Sequence, residues 1–560
     1  MSYDYDVCVI GSGAGGGPVA YTLAKAGYRV LVLEKGPWFK KDDFFKDEIA
    51  CCRRPLYTPT LMDERHVIED QNSDGNWVAE STYDTGRSFW NGNMVGGSSN
   101  LMSGYFHRLK PKDFRLLSEF GSMKGANIVD WPIDYETLEP YFTKVEHEVG
   151  VSGKVVDYPL LEPRSTEDFP YAPTEEHPVA RWFDKACRRL GFNALPAPRA
   201  ILPEPALGRD GCSYSGYCGS YGCATGAKGS SSAALLNPAV ATGHCKVIPH
   251  AKVFYLKSDA KGNIEYAEYF DADGYRQKVK ARLFVVACQA IESVRLLLFS
   301  TGPKHPGGLG NRYGQVGRNL LFSGGGSGSG DFMHNDLTAD QVQELQTFGP
   351  FFNRALHDWY YIDDEPFEQP VKGGMIEFMF THPNGIRRAS NQKWSSEGLL
   401  WGKSLKRQLE EYFMESSHIR FEVFNDWLPN DNCYVELDHN VKDRWGTPVA
   451  RVRVGNHNHD LKVGRYLADK GEHVLREMGA TNVSSAVSGA PPPNLMAGGL
   501  RFGNDPRTSV LDKNCRVHDV DNLYVSDGSF MPTGGSVPFT WTIYANAFRV
   551  ADRIVQHLGG

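Results

Sequence analysis

A glycine-rich turn near the start of the chain constrains the fold more than any other stretch. Residues 7–10 form a short apolar run, typical of a buried parallel strand, and Gly11, Gly13 and Gly16 follow it. In this pattern the first glycine permits a tight turn, the second lets the backbone approach a pyrophosphate, and the third lets a helix pack on the strand. A second apolar run ends at Glu34, where a carboxylate can accept hydrogen bonds from ribose hydroxyls. We therefore predict a Rossmann-like α/β domain that binds a dinucleotide, with the pyrophosphate at the helix N-terminus.

The fingerprint alone does not distinguish FAD from NAD. Its position at the start of a long chain is typical of FAD proteins. A glycine-rich turn without a ligand is the competing interpretation, and the flanking strand, helix and acid argue against it.

Length, composition and charge limit the class of protein. The 560 residues suffice for two or more domains, and 41% hydrophobic and 23% charged residues are ordinary for a globular protein. The net charge of −7 gives no electrostatic case for binding nucleic acid or an anionic membrane. No apolar run approaches the ~20 residues that span a bilayer. The first strand begins almost at the N-terminus and leaves no room for a signal peptide, so we expect a cytoplasmic protein; export with a signal-bearing partner stays open.

Several further elements can be predicted from local patterns. Asp134 is a helix cap, and Gly150 ends the helix that it begins. Residues 460–478 and 541–557 have helical patterns, and the stretch between 373 and 454 is rich in strand-like runs. Residues 92–104 are mostly glycine and small hydroxyl residues, which let backbone N–H groups approach a planar ligand or a phosphate. A plain surface loop is the alternative for this last stretch.

Five motifs in order resemble the glucose–methanol–choline (GMC) flavoprotein oxidoreductases over essentially the whole chain. They are the N-terminal fingerprint with Glu34 and residues 95–100, 286–297, 316–320 and 518–529. The chain is most similar to the bacterial sugar and gluconate dehydrogenase branch. The resemblance implies FAD bound in an α/β Rossmann-like domain and an α+β substrate domain built on an antiparallel sheet over the flavin ring.

The resemblance also implies how the chain divides and which residues bind the cofactor. The FAD domain would comprise residues 1–154, 206–324 with a cysteine-rich loop, and 481–560; the substrate domain would comprise 155–205 and 325–480. The implied FAD contacts are Gly11, Gly13, Gly16, Glu34, Gly96, Gly97, Ser98, Asn100, Val253, Ala287, Asp527, Gly528 and Pro538.

Three cysteines, Cys212, Cys218 and Cys223, lie in one glycine-rich loop. Thiolates select soft metals and iron–sulfur clusters, and a structural zinc usually needs a fourth ligand that the loop lacks. Three thiolates suit a three-iron cluster, or a four-iron cluster with one open or foreign ligand. Sugar dehydrogenases of the family have a similar loop with a [3Fe-4S] cluster, which implies electron relay to a partner and a dehydrogenase rather than an oxidase. The alternative is that the cysteines only pack beside the FAD domain.

The chain departs from the family where the catalytic pair should lie. GMC enzymes place a histidine, and then a histidine or asparagine, over the flavin, and the first removes the substrate hydroxyl proton. Alignment on Arg501 and Gly503 puts Leu495 and Val537 at these positions, and Asn494 is the nearest polar residue. Asn494 could orient substrate, although an amide is a poor base. By residue type and region, the other candidates for the base are Tyr105, His107, His382 and His418.

These observations predict an FAD-dependent dehydrogenase that oxidises a CH–OH group of a sugar or other alcohol. Its electrons would pass through the cluster to an acceptor protein, a small partner subunit or a quinone. The missing pair keeps two alternatives open: a desaturase or ene-reductase acting next to a carbonyl, and a catalytically silent flavin electron-transfer subunit.

Overall fold

Five parallel strands form the sheet that carries the glycine turn. The computed structural model describes residues 3–44, 46–48, 58–89, 92–396, 398–492 and 495–559. Side chains on the central strands, such as Val7, Val9 and Val285, are fully buried, as expected for parallel strands. From edge to edge the strands are Leu523–Val525, Ala281–Val286, Tyr5–Ile10, Val30–Leu33 and Cys245–Ile248. The predicted Rossmann-like α/β domain is confirmed.

Helices cover this sheet and connect it to the rest of the chain. Gly16–Lys25, Tyr135–Val145 and Thr540–Gly559 pack together beside it. Asp134 caps the second of these helices by accepting a hydrogen bond from the backbone N–H of Thr137 at 2.9 Å, as predicted. In the part of the chain that the structure describes, the other α-helices are Thr82–Thr85, Leu116–Phe120, Ala180–Leu190, Asn237–Ala241, Ala290–Phe299, Ala339–Leu345, Gly385–Asn391, Gly402–Glu410 and Asn458–Glu477.

A second, antiparallel sheet lies over the first domain and is called the roof sheet below. Its own apolar core includes Phe183, Phe378, Phe421 and Leu467 and is separate from the core of the parallel sheet. Its main path runs through Thr481–Val487, Gly326–Met333, Ser416–Asp426, Gly374–Phe380, Arg354–Leu356 and Leu195–Pro196, and Leu320–Gly324 and Met496–Gly498 join it at one end. The antiparallel sheet expected for the substrate domain is thus confirmed.

The roof sheet bears on the predicted domain boundaries at two places. Leu195–Pro196 brings the segment 155–205 into the sheet. Thr481–Val487 pairs with Gly326–Met333, so the sheet continues beyond residue 480. The predicted domain boundaries themselves stay predictions.

Smaller sheets complete the fold. A four-stranded sheet contains Tyr434–Lys442, Pro448–Arg453, Val67–Gln71 and Trp77–Ser81, and a three-stranded one contains Lys252–Ser258, Ile264–Phe270 and Arg276–Val279. Two short hairpins pair Tyr361–Ile362 with Val371–Lys372 and Trp394–Ser395 with Gly398–Leu399. In the described ranges, no helix has the length and apolar character needed to cross a bilayer.

Candidate functional site

One cavity of about 400 Å³ extends from the glycine turn to the underside of the roof sheet. Its walls include backbone at Gly11 and Gly13, the strand end at Glu34, and the roof side chains Glu422 and Phe424. The site therefore joins the predicted dinucleotide turn to a chamber beneath the roof sheet.

Crowding by backbone atoms explains why two of the fingerprint positions are glycines. A Cβ on Gly11, whose φ is +95°, would lie 2.2 Å from the carbonyl oxygen of Ala287. A Cβ on Gly16 would lie 2.1 Å from the carbonyl oxygen of Gly11, so the helix can start only with glycine here. At Gly13, the nearest protein atom to such a Cβ is the Cα of Gly97, at 3.9 Å, and Gly13 lines the cavity. Gly13 therefore leaves room for a ligand rather than for protein.

Glu34 ends the second parallel strand and lies in the cavity wall. Its carboxylate accepts hydrogen bonds from the backbone N–H of Ser12 at 3.1 Å and of Gly36 at 2.9 Å. Burial raises the pKa of this carboxyl group, while the bonds from Ser12 and Gly36 act in the opposite direction. The Ser12 hydroxyl also donates to Oε2, whereas among the described residues Oε1 accepts only from Gly36. Oε1 therefore keeps a lone pair that can accept a ribose hydroxyl. The arrangement fits the adenosine half of a dinucleotide.

The glycine-rich loop after residue 92 forms another wall. Gly97 and Ser98 line the cavity. Gly96 has a φ of +93° and donates its N–H to the hydroxyl oxygen of Ser12 at 2.9 Å. Asn100 is buried behind the loop, where its amide donates to the carbonyl oxygens of Val95 and Gly97 at 2.9 and 3.1 Å. Two of the four predicted loop contacts thus lie at the cavity surface, and the other two shape the loop from behind.

The remaining predicted cofactor positions all line the same cavity: Val253, Ala287, Asp527, Gly528 and Pro538. Asp527 is held from both sides, because one oxygen accepts from the Ser293 hydroxyl and the other from the backbone N–H of Ser529 at 2.9 Å. Burial raises the pKa of Asp527, against those hydrogen bonds. The open wall at Gly13, the buried acid at Glu34 and the continuation of the cavity to the roof sheet fit FAD.

The positions where the family has its catalytic pair are apolar in the structure. Leu495 lines the cavity. Val537 is fully buried and directly precedes Pro538, which also lines the cavity. Asn494 lies outside the described residues. Neither Leu495 nor Val537 can accept a proton, so any proton transfer requires a different group.

Under the roof sheet, the ionisable residues in the described cavity wall are Tyr105, His382 and Glu422. Two other histidines named from the sequence lie elsewhere: His107 is buried with its Nε2 3.6 Å from a Glu377 oxygen, and His418 bonds to Asp331 at 2.7 Å. The residue that sequence reasoning missed is Glu422. The sequence feature that could have identified Glu422 is its place in the alternating strand Ser416–Asp426. It lies two residues before Phe424, so both side chains are on the same face of the strand, and both line the cavity.

A second carboxyl group lies directly across from Glu422 in the roof sheet. Glu377 and Glu422 are register partners on adjacent antiparallel strands, so their side chains share a face. Glu377 is fully buried, and neither of its carboxyl oxygens has a hydrogen-bond partner. Burial raises the pKa of Glu377, Glu422 adds to the rise, and His107 and Arg199 oppose it.

Replacing Glu377 by glutamine should stabilise the protein at alkaline pH. Because the folded-state pKa is raised, the group favours folding only while it is protonated. Its contribution is complete below the unfolded-state value of about 4.3 and is lost as pH rises through the folded-state value. E377Q should therefore unfold at a higher temperature than wild type at pH 8, with the difference shrinking towards pH 5. Thermal unfolding followed by circular dichroism measures this, with exposed Glu436→Gln as the control; a wild type that is more stable than E377Q at pH 8 contradicts it.

The three-cysteine loop is next to this cavity. Its thiols line one small cavity of about 30 Å³. The Cys218 thiol donates to the carbonyl oxygen of Ser103 at 3.6 Å, and Ser103 itself lines the main cavity. The Lys228 ammonium group donates to the carbonyl oxygens of Cys218 and Tyr221 at 3.0 and 2.8 Å. The loop is thus tied to the wall of the main cavity.

The thiols differ in how readily they ionise. Burial raises the pKa of Cys212 to about 11. At Cys223 burial acts the same way, but the Lys228 charge and hydrogen bonds from Thr225 outweigh it and lower the pKa. No group of three or more His, Cys, Asp or Glu side chains that could hold a metal ion occurs in the ranges that the structure describes.

Family models and curated relatives identify the class. Two models described as GMC oxidoreductase match residues 74–322 and 429–547, and one described as an NAD(P)-binding Rossmann-like domain matches residues 9–38. The chain is 32% identical to 2-methyl-1,2-propanediol dehydrogenase of Mycolicibacterium austroafricanum, over 98% of this chain and 95% of that protein. It is 30% identical to 6'''-hydroxyparomomycin C oxidase of Streptomyces lividus, over 99% of this chain and 92% of that protein. It is 26% identical to the fructose dehydrogenase large subunit of Gluconobacter japonicus, over 99% of this chain and 98% of that protein.

Solved structures share the fold. Pyridoxine 4-oxidase from Mesorbium loti matches with a TM-score of 0.62 and 17% identity, over 99% of this chain and all of that one. A formate oxidase variant from Aspergillus oryzae matches with a TM-score of 0.64 and 16% identity, over 99% of this chain and 98% of that one. Fold and cavity together define an FAD-dependent oxidoreductase. The chain belongs to the GMC oxidoreductase family.

Proposed function

We propose that the protein is an FAD-dependent dehydrogenase that oxidises a CH–OH group of a neutral alcohol, polyol or sugar. One observation carries the proposal: the cavity that fits FAD opens into a chamber whose wall contains Glu422. Dehydrogenases and oxidases among the relatives have names that refer to a diol, a sugar and a hydroxylated aminoglycoside.

We assign the missing proton acceptor to Glu422. Bound FAD supplies the acceptor for two electrons and the carbon-bound hydrogen. As that C–H bond breaks and the carbonyl forms, the hydroxyl proton passes to the Glu422 carboxylate. Tyr105, whose pKa is raised by burial, stays protonated and serves as a hydrogen-bond donor to the substrate oxygen. His382, also in the chamber wall, is the second group able to accept a proton.

The Glu422 carboxylate in the chamber wall also favours a class of substrate. Hydroxyl groups are good donors to carboxylate oxygens. An anionic sugar acid would bring a second carboxylate towards Glu422 at an energetic cost. We therefore favour neutral polyhydroxylated substrates over sugar acids.

Anaerobic reduction of the bound flavin tests the proposal. Loss of the flavin absorbance with a neutral alcohol or sugar supports it, and reduction by sugar acids alone overturns the assigned substrate class. Reduction only by saturated ketones or lactones would support desaturation instead. No reduction by any member of the panel would support a silent electron-transfer subunit.

We propose that Cys212, Cys218 and Cys223 would hold a three-iron cluster, which would supply electron transfer to an acceptor protein, a partner subunit or a quinone. Three thiols around one cavity supply the donor set, and iron with sulfide between them spaces thiolates more widely than a single metal ion does. The cavity between the thiols is about 30 Å³, close to the volume of one water molecule, so binding of a cluster would require the loop to open. A cluster of this kind favours a dehydrogenase over an oxidase.

Iron analysis checks the cluster. Protein purified without oxygen should contain iron and acid-labile sulfide at close to the cluster stoichiometry, and Cys218→Ser should lose both while it keeps FAD. Cys288→Ser is the matched control, because this cysteine lies outside the loop and should leave iron unchanged. Iron below about one atom per chain in the wild type contradicts the cluster.

A further inference from the structure

The segment from Gly385 to Glu415 presents an unusual concentration of exposed apolar side chains. Within the described ranges, six of the fifteen large apolar side chains that are strongly exposed belong to it. The most exposed are Trp401, Met414 and Trp394, at 80%, 73% and 62%. The others are Leu399, Ile386 and Phe413.

Three of these side chains share one face of a hairpin. Trp394 and Leu399 are cross-strand partners, so their side chains lie on the same side. Trp401 follows Leu399 by two residues and is itself extended, with φ −152° and ψ 167°, which repeats the orientation. The result is an apolar edge that stands out from the surface.

The segment is fixed to the body of the protein. Glu48 accepts hydrogen bonds from the backbone N–H groups of Ile386 and Arg387 at 2.8 and 2.7 Å. The Arg388 guanidinium donates to the Tyr412 hydroxyl at 3.2 Å, and the Tyr412 ring stacks on His418 at 4.0 Å. The apolar edge is therefore presented by a supported structure rather than by a loose loop.

Basic residues flank the apolar edge although the chain as a whole is acidic. Residues 385–407 carry six basic residues and one acidic residue, whereas the whole chain has a net charge of −7. Three glutamates follow, and one of them, Glu415, pairs with Arg407 at 2.7 Å. The six basic residues are Arg387, Arg388, Lys393, Lys403, Lys406 and Arg407.

We propose that this face binds the surface of a lipid bilayer that contains anionic headgroups. Tryptophan is enriched at the boundary between headgroups and acyl chains, and lysine or arginine beside it contacts anionic lipid. A protein partner fits less well, because protein interfaces are depleted in lysine, and Lys393, Lys403 and Lys406 flank the aromatic side chains here. Since the chain as a whole is acidic, this basic face is favoured for the approach to an anionic surface.

The apolar edge lies close in sequence to the substrate chamber. The segment begins three residues after His382, which lines the substrate chamber. Docking there would hold the chamber wall close to the bilayer, where a quinone acceptor resides. The binding itself is independent of the reaction, so it can be tested without turnover.

Vesicle co-sedimentation of the FAD-loaded full chain tests the proposal. Wild type should bind vesicles of phosphatidylcholine and phosphatidylglycerol in equal parts, and bind pure phosphatidylcholine at least tenfold more weakly. W394A/W401A should lose at least about tenfold in affinity for the mixed vesicles. K403Q/K406Q should lose about thirtyfold at low salt, and raised salt should weaken wild-type binding in the same way.

Matched variants at other exposed positions distinguish binding by this surface from non-specific binding of the protein to vesicles. Tyr275→Ala removes a ring that is 70% exposed. K278Q/K280Q removes one lysine in the strand Arg276–Val279 and one directly after it, with side chains 60% and 44% exposed. Both variants should bind like wild type. Flavin absorbance and thermal unfolding confirm that each variant is folded. Absence of wild-type binding, equal losses in the control variants, or a wild-type dimer that W394A/W401A turns into a monomer in light scattering would each overturn the proposal.

Discussion

Glu422→Gln should lower kcat by about 10²- to 10⁴-fold, the usual contribution of a positioned general base. Glutamine keeps the shape of the side chain and its ability to bind a hydroxyl group, but it cannot take a proton. The loss should therefore appear in kcat more than in KM. FAD content should be unchanged, because Glu422 lies on the roof side of the cavity, away from the glycine turn. Stopped-flow flavin reduction with a saturating substrate measures the step directly.

Two companion variants make this result specific. Glu436→Gln changes an exposed glutamate that pairs with Arg318 at 3.3 Å, and it should react like wild type. His382→Asn removes the second group able to accept a proton in the chamber. If His382→Asn loses the larger factor while Glu422→Gln reacts normally, the assignment of the base to Glu422 is wrong and His382 takes its place.

The parts of the fold that sequence predicts well are those set by local chemistry. Asp134 caps its helix because its side chain reaches a backbone N–H three residues on. The helix expected over 460–478 is observed as Asn458–Glu477, since its apolar spacing decides its buried side. Gly16 is required by the carbonyl oxygen of Gly11, five residues earlier in the chain. In each case the determining partners are near in sequence.

The chamber depends on partners that are far apart in sequence. Tyr105, His382 and Glu422 come from a loop in the first domain, the end of a roof strand and the adjacent strand, and more than 270 residues separate the first two. The alternation along 419–423 predicts a strand, but not that Glu422 is opposite Glu377 or that this face points to the cavity. For the same reason residue type alone could not separate His382 from His107, which is buried against Glu377.

Gly11→Ala should abolish FAD binding or prevent folding. The new methyl group would lie 2.2 Å from the carbonyl oxygen of Ala287. Gly11 and Ala287 directly follow the ends of the adjacent strands Tyr5–Ile10 and Ala281–Val286, so neither the Cβ nor the carbonyl oxygen can turn away. Overpacking of this kind costs roughly 1–3 kcal/mol or more, in addition to roughly 1–2 kcal/mol for an alanine with a positive φ. Flavin content per chain, measured from the absorbance ratio of the purified protein, should fall close to zero.

Gly27→Ala separates the two costs. Gly27 has a φ of +85°, close to the +95° of Gly11, yet a Cβ there would meet no atom within 4 Å. It should therefore lose only about 1–2 kcal/mol of unfolding free energy and keep its full complement of FAD. Equal loss of flavin in both variants would mean that backbone conformation, rather than the close approach of two strand ends, sets the requirement for glycine. Normal FAD content in Gly11→Ala would mean that the turn can move away from Ala287, and the cofactor site derived from that contact would then be wrong.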